Sequence, residues 1–570
     1  MTWSKPNLAL FTALAVVLAA ACSVETADRV TVPPPPAATA QAQPEAITAV
    51  QPQAAEATAP DSAAGRLAPA PEARADLAAA LKQSAAYAQP AADYRQALEP
   101  LQRETYAHFN DNPLRRVTEQ PFSTFSIDVD TGSYSNMRRM LNAGSRPLRD
   151  AIRTEELINY FSYDYPRPVR RSTPFSITTE VGPTPWNPAT RLLHIGIQGY
   201  DVPRQELPPA NLVFLVDVSG SMQSPDKLEL LKSGLKLLAR QLDQDDRVSL
   251  VVYAGASGVV LEPTPGDRTA TITAALDALT AGGSTNGAAG IRLAYAVARQ
   301  AYIKDGINRV ILATDGDFNV GTVNFEALQQ LVEEQRASGI GLTTLGFGSG
   351  NYNDRLMEQL ADAGNGNYAY IDTLSEANKS LVDELSSTLF TIAKDVKIQV
   401  EFNPATVAEY RLIGYENRML ARADFENDRV DAGEIGAGHA VTAVYELALT
   451  GSKGERLGGG RYQPAAAGGA VHSDELAMVR VRYKLPQGDT STLVEAAVLA
   501  SATIGDIART SDRYRFAAAV AGFGQLLRDG KYTGAFDYDD VLALARAARG
   551  DDPFGYRGEF LQLVNLAASL

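Results

Sequence analysis

The sequence predicts an α/β fold: a doubly wound, mostly parallel sheet flanked by a β-sandwich and a C-terminal helical region. Three observations lead there. Between residues 209 and 390, short and nearly continuous apolar runs alternate with amphipathic helical stretches, the pattern of buried parallel strands covered by helices on both faces. On either side of that segment lie strand-like runs, at 175–180 and 192–197 before it and at 396–402, 409–415 and 440–447 after it. Neither group suffices for a sheet of its own, so one β-sandwich with the α/β segment inserted accounts for both. From residue 486 onward the apolar spacing turns helical, at 492–500, 512–527, 538–548 and 556–569.

Within the α/β segment, strands are expected at 212–216, 247–253, 309–313, 340–347 and 368–371. Helices are expected at 227–242, 269–279, 287–302, 325–338, 354–361 and 376–389. Folds of this type bind ligands at the carboxyl ends of their strands. The preceding region, 101–208, opens with an alternating strand at 122–130, followed by helices at 134–141 and 154–161. The sandwich region, 391–485, includes a further strand at 478–483 and glycine-rich loops at 451–460 and 465–469.

At 570 residues the chain exceeds one ordinary domain, and its 45% hydrophobic and 21% charged content is that of globular protein. A formal net charge of −15 argues against a nucleic-acid partner, which needs a basic face. Residues 1–21 read as an export signal: Lys5, an apolar run over 8–18, then Ala19, Ala20 and Ala21. The run falls short of the ~20 apolar residues of a membrane span. Cys22, the single cysteine, excludes an internal disulfide. A lone cysteine at this point resembles the bacterial lipobox, which implies lipidation of Cys22 and a membrane anchor. Ala19 stands where that pattern usually has leucine, and ordinary signal-peptidase cleavage after Ala21 is the other reading. Ser23 after the cysteine implies, by the same likeness, the outer membrane, with the protein facing the periplasm or the cell surface. Residues 22–100, rich in Ala and Pro and including Pro33 to Pro36, are expected to be a disordered tether.

The chemistry concentrates in three places. Asp217, Ser219 and Ser221 form a DxSxS pattern at the end of the first α/β strand. Thr285 follows Gly283 and Ser284 on the loop entering the 287–302 helix. Asp315 lies between Thr314 and Gly316 at the end of the 309–313 strand. All five candidates are oxygen donors, two carboxylates and three hydroxyls. They suit a hard divalent cation such as Mg²⁺, which takes six oxygens at about 2.1 Å; Ca²⁺ or Mn²⁺ are possible. Neutral hydroxyl ligands leave most of the cation's charge for an outside anion. Asp217, Ser219 and Ser221 could instead cap the next helix, but three elements in register speak against so local a role.

This set, in this order, resembles the von Willebrand factor type A (VWA) domain and its metal-ion-dependent adhesion site. By that resemblance Ser219, Ser221 and Thr285 coordinate the metal directly, and Asp217 and Asp315 do so directly or through water. The runs at 123–136 and 155–166, and the end of the chain from 476 to 570, resemble the flanking regions of bacterial VWA lipoproteins of the YfbK type.

Other features carry less. Asp128 and Asp130 begin like a phosphatase motif, but Gly132 stands where Thr or Val belongs, and turn chemistry after a strand is the preferred reading. His108, His194, His439 and His472 are scattered. No phosphate-binding Gly–Lys loop occurs. Glu333 and Glu334 read as a solvated face, Tyr253, Tyr295 and Tyr302 as packing residues, and Trp186, set among prolines, as a packed turn. The expected function is metal-dependent protein binding, as adhesion or scaffold, by a lipoprotein of the bacterial cell envelope. The protein partner would supply a carboxylate to the metal. An envelope assembly or maturation factor holding client proteins through the same site is the alternative. A metal-dependent hydrolase is weaker, because no base stands beside the motif, and the protein is expected not to be an enzyme.

Overall fold

Strand β5 (Ala210–Asp217) is buried along its whole length, and the α/β segment is built around it. Its neighbours are β6 (Arg247–Tyr253) and β8 (Ile307–Thr314), both parallel to it. The sheet extends through β9 (Gly341–Phe347) to β10 (Tyr368–Ile371) on one side, and through antiparallel β7 (Ser257–Pro265) on the other. The computed structural model describes residues 104–168, 170, 172–316, 325–458, 472 and 474–570. The expected export signal, Cys22 and the tether lie outside the described residues. Among the described residues no helix is long and apolar enough to cross a membrane.

Alternate residues of β5 face opposite sides of the sheet, as a strand requires. Leu212, Phe214 and Val216 pack with Leu231, Leu235 and Leu238 on one face. Val213 and Leu215 pack with Ile291, Ala294 and Tyr295 on the other. Strand β7 escaped sequence reading because it is a half-exposed edge strand, with Val259 and Val260 in solvent, and its apolar run, Val259 to Leu261, is only three residues long. The expected helix at 227–242 is a π-helical turn, Pro225–Glu229, followed by an α-helix, Leu230–Ala239.

The strands flanking this segment pair with one another. One sheet runs β1 (Arg115–Arg116), β12 (Val407–Ile413), β14 (Ala440–Leu449), β4 (Asn187–Gly199), β3 (Phe175–Thr184). In it Leu193 lies opposite Tyr445, and Ile195 opposite Ala443. The second runs β13 (Ile435–Gly436), β11 (Thr391–Phe402), β15 (Glu475–Lys484), β16 (Ser491–Leu499), with β2 (Phe122–Ser126) also on β11. Inner residues of both sheets, among them Leu193, Ile195, Ile398, Val400, Tyr445 and Val479, share one core. The α/β segment is thus inserted between strands of one sandwich.

Strand β16 corrects the helix expected at 492–500. Val494, Ala496 and Val498 are more buried than Leu493, Glu495, Ala497 and Leu499, a period of two. A short turn, in which Gly488 N–H donates to the Leu485 carbonyl, folds the strand back onto β15. The helices that follow, Asp512–Leu527, Tyr538–Ala547 and Tyr556–Ser569, do not stand alone. They share a core with Gly132–Asn142 and Thr154–Asn159, in which Phe161 meets Phe516 edge-on at 5.0 Å and Tyr134 stacks on Tyr160 at 3.7 Å.

Where the N-terminal region, the α/β segment and the sandwich meet, two arginines are surrounded by carboxylates. Arg153, almost fully buried, pairs with Glu156, with Asp354 (2.5 Å) and with Glu358 (3.7 Å). Arg418 pairs with Asp128 (3.2 Å), Asp130 (3.4 Å), Glu358 (3.3 Å) and Asp362 (2.5 Å). The turn reading of Asp128 holds locally, since its Oδ1 accepts from Asp130 N–H at 3.0 Å. Asp130 also accepts from the Tyr368 N–H at 2.8 Å and so ties this turn to β10.

Burial lifts several of these carboxyls against the pull of the arginines, Glu156 to about 6 and Glu358 to about 8, with Asp130 and Asp362 also raised. These carboxyls bind protons more tightly in the folded chain than in the unfolded one, and at neutral pH Glu358 holds a proton that it releases on unfolding. Their contribution to stability is complete below the usual Glu value of 4.5 and is lost as pH rises through about 6 and about 8. The thermal midpoint is therefore expected to fall between pH 5 and pH 9, and Glu358→Gln to flatten that fall. A midpoint that is level or rises over this range in the wild type contradicts the assignment.

Candidate metal centre

Asp217 ends β5 and is fully buried. The chain then turns, and the Ser219 N–H donates back to Asp217 Oδ1 at 2.8 Å. Thr314, the last residue of β8, donates its hydroxyl to Asp217 Oδ2 at 2.9 Å, and the Tyr253 hydroxyl donates to the same oxygen at 3.2 Å. Both Asp217 oxygens are thereby aimed. The Ser219 and Ser221 hydroxyl oxygens lie 3.0 Å apart. Asp315, also fully buried, accepts from the Lys227 ammonium at 2.8 Å.

The second loop is fastened to the first by backbone hydrogen bonds. Gly220 N–H donates to the Gly283 carbonyl at 3.0 Å, and Gly282 N–H to the Val218 carbonyl at 2.8 Å. Thr285 lies two residues further on and is half-buried. Asn286 caps the helix Gly287–Gln300 through the Ala289 N–H. At Gly316 the backbone adopts φ +84°, and a Cβ there would fall 2.4 Å from the Asn353 nitrogen; only glycine lets the chain pass this close.

The structure thus joins Asp217, Ser219 and Ser221 through side-chain and backbone bonds, sets Asp315 close enough for its charge to act on Asp217, and brings the Thr285 loop against the same turn. Burial raises the Asp217 carboxyl above its ordinary range. Hydrogen bonds from Ser219 and Thr314 oppose the rise, and the Asp315 charge adds to it. Two buried acids this close favour a bound cation. Among the described residues no group of three or more His, Cys, Asp and Glu side chains is placed to hold a metal, so a cation here would depend on hydroxyl donors. The Ser219–Ser221 spacing suits them: cis ligands at about 2.1 Å on an octahedron are about 3.0 Å apart.

Two participants were missed from sequence. Tyr253, read as packing, is the register partner of Asp217 on β6; the strand assignments alone put it at the same sheet edge. Lys227, read only as the start of a helix, turns inward on the π-helical turn. Other readings hold. Tyr295 is buried, and Glu333 and Glu334 are exposed, whereas Tyr302 is largely exposed. Trp186 is packed, edge-on to Phe536 at 5.9 Å, with its Nε1–H on Glu446 at 3.3 Å. His194 is buried and His439 half-buried, and loss of solvent around their rings lowers them to about 3 and about 4, so both are neutral at pH 7.

A central parallel strand ending in DxSxS, with a hydroxyl-bearing second loop and an aspartate beyond the neighbouring strand, defines a VWA domain. Residues 211–384 match the family model described as von Willebrand factor type A domain. Residues 100–194 match a model described as von Willebrand factor, and residues 387–570 match Uncharacterized protein YfbK, C-terminal. The chain belongs to the YfbK family: it is 47% identical over 471 residues to Uncharacterized protein YfbK of Escherichia coli (strain K12), covering 81% of this chain and 80% of that one. It is also 33% identical over 171 residues to Uncharacterized protein sll0103 of Synechocystis sp., covering 30% and 39% of the two chains. Among solved structures, a von Willebrand factor type A protein from Catenulispora acidiphila aligns with a TM-score of 0.38 at 16% identity, covering 68% of this chain and 89% of that chain.

Proposed function

We propose that this protein is a metal-dependent protein-binding lipoprotein of the bacterial cell envelope, serving as adhesion or scaffold. It grips an acidic side chain of its partner through Asp217, Ser219, Ser221, Thr285 and Asp315. The observation that carries this reading is the hydroxyl pair of Ser219 and Ser221, 3.0 Å apart beside two fully buried carboxylates. A divalent cation held there, with Mg²⁺ the first candidate, supplies positive charge for a partner's carboxylate. The chain's own part is to aim the donors. Ser219 N–H, Thr314 and Tyr253 fix Asp217, and the Gly220–Gly283 bond holds the Thr285 loop to the turn. The envelope assignment rests on the lipobox-like sequence ending at Cys22.

Affinity capture from bacterial envelope extracts tests this reading. The full chain is expected to retain a partner in Mg²⁺ and to release it in EDTA. Asp217→Ala and Thr285→Ala are each expected to capture none while remaining folded. Capture that persists unchanged in EDTA defeats the proposal.

A further inference from the structure

Lys227 is an unusual neighbour for a cation site. Its ammonium lies 2.8 Å from Asp315 Oδ2, with the Lys227 side chain 9% exposed and that of Asp315 fully buried. Three features of the chain hold it there. The turn Pro225–Glu229 is π-helical, opened at its start by Pro225 and by a bond from the Lys227 N–H to the Ser224 carbonyl. Single π-helical turns within helices are rare and concentrate at functional positions. The methylenes of Lys227 lie across Gly348, where φ is +70° and a Cβ would come 2.3 Å from Cε and 2.5 Å from Cγ. The Gly348 carbonyl is itself held by the buried Tyr370 hydroxyl. The backbone on both sides is thus shaped to admit a lysine.

A buried ion pair seldom adds net stability, because desolvation offsets its attraction; its use is better sought in the site it occupies. Asp217 and Asp315 together carry two negative charges and Lys227 one positive. A divalent cation entering while the ammonium stays turns the site net positive, which repels the cation and favours an incoming anion.

We propose that Lys227 is the site's built-in counter-cation: it holds Asp315 when no metal is bound, lowers the affinity for the divalent ion, and leaves the loaded site in need of an anionic ligand. This rests on the cation reading given above, and the test separates the two. Mn²⁺ binding is measured by titration calorimetry on the full chain and on Lys227→Met and Lys227→Gln. Thermal melting with and without Mn²⁺ is followed on the same proteins. Both neutral variants are expected to bind Mn²⁺ at least about tenfold more tightly than the wild type. They should melt lower than the wild type without metal and gain more from its addition, because Asp315 has lost its ammonium. Wild-type binding that the neutral variants match or fall below overturns it and leaves the cation reading standing. No binding by any of the three overturns both.

Discussion

Arg418→Met is expected to destabilise the fold by about 3–5 kcal/mol, because it leaves buried carboxylates without their counter-charge. The Arg418 guanidinium meets Asp128, Asp130, Glu358 and Asp362 at 2.5–3.4 Å. Methionine matches much of its length and none of its charge, so packing changes little and electrostatics changes most. Arg153, the other arginine of the cluster, is already engaged by Glu156 and Asp354. The residues joined here come from three parts of the chain, so the loss should appear as global unfolding at lower urea concentration. Adding Glu358→Gln removes one of the buried acids and is expected to recover part of the loss, because its carboxyl, already lifted to about 8, is held still further from its ionised form without Arg418. Urea denaturation of the single and double variants measures both effects. A loss below about 1 kcal/mol for Arg418→Met, the ordinary value of a surface pair, contradicts this role for Arg418.

The second large effect is expected at Asp217. Asp217→Asn keeps the shape of the side chain and an acceptor for the Ser219 N–H. The Thr314 and Tyr253 hydroxyls, which now donate to Oδ2, can rotate to accept from an amide. The carboxylate replaced is one that burial and the Asp315 charge already disfavour. The metal-free variant should therefore fold with stability within about 1 kcal/mol of the wild type, or above it. Its affinity for a divalent cation should fall at least about a hundredfold, since altering even outer partners of a metal ligand costs 10–100-fold.

Much of this was legible in the sequence, and the limits have physical causes. The buried strands 212–216 and 309–313 announced themselves because both faces of a parallel sheet are covered. Asp217, Ser219, Ser221, Thr285 and Asp315 stood out because oxygen donors with glycines follow such strands. β16 was misread because the run from Leu493 to Leu499 is rich in Ala and Leu, which fits a helix as well as an edge strand. The pairing with β15 decides the matter, and local spacing does not report it. Asp128 and Asp130 showed their turn but not their burial, which depends on Arg418, some 290 residues away in the chain. Lys227 looked like an ordinary helical lysine. Its inward path depends on Gly348, on a different strand–helix connection.

These oxygen donors are proposed to hold one divalent cation. Counting bound Mn²⁺ per chain by equilibrium dialysis, on the wild type and on Asp217→Asn, tests it most directly. One ion per wild-type chain and none per variant chain is the expected result. No ion in the wild type, or one that survives Asp217→Asn, contradicts it.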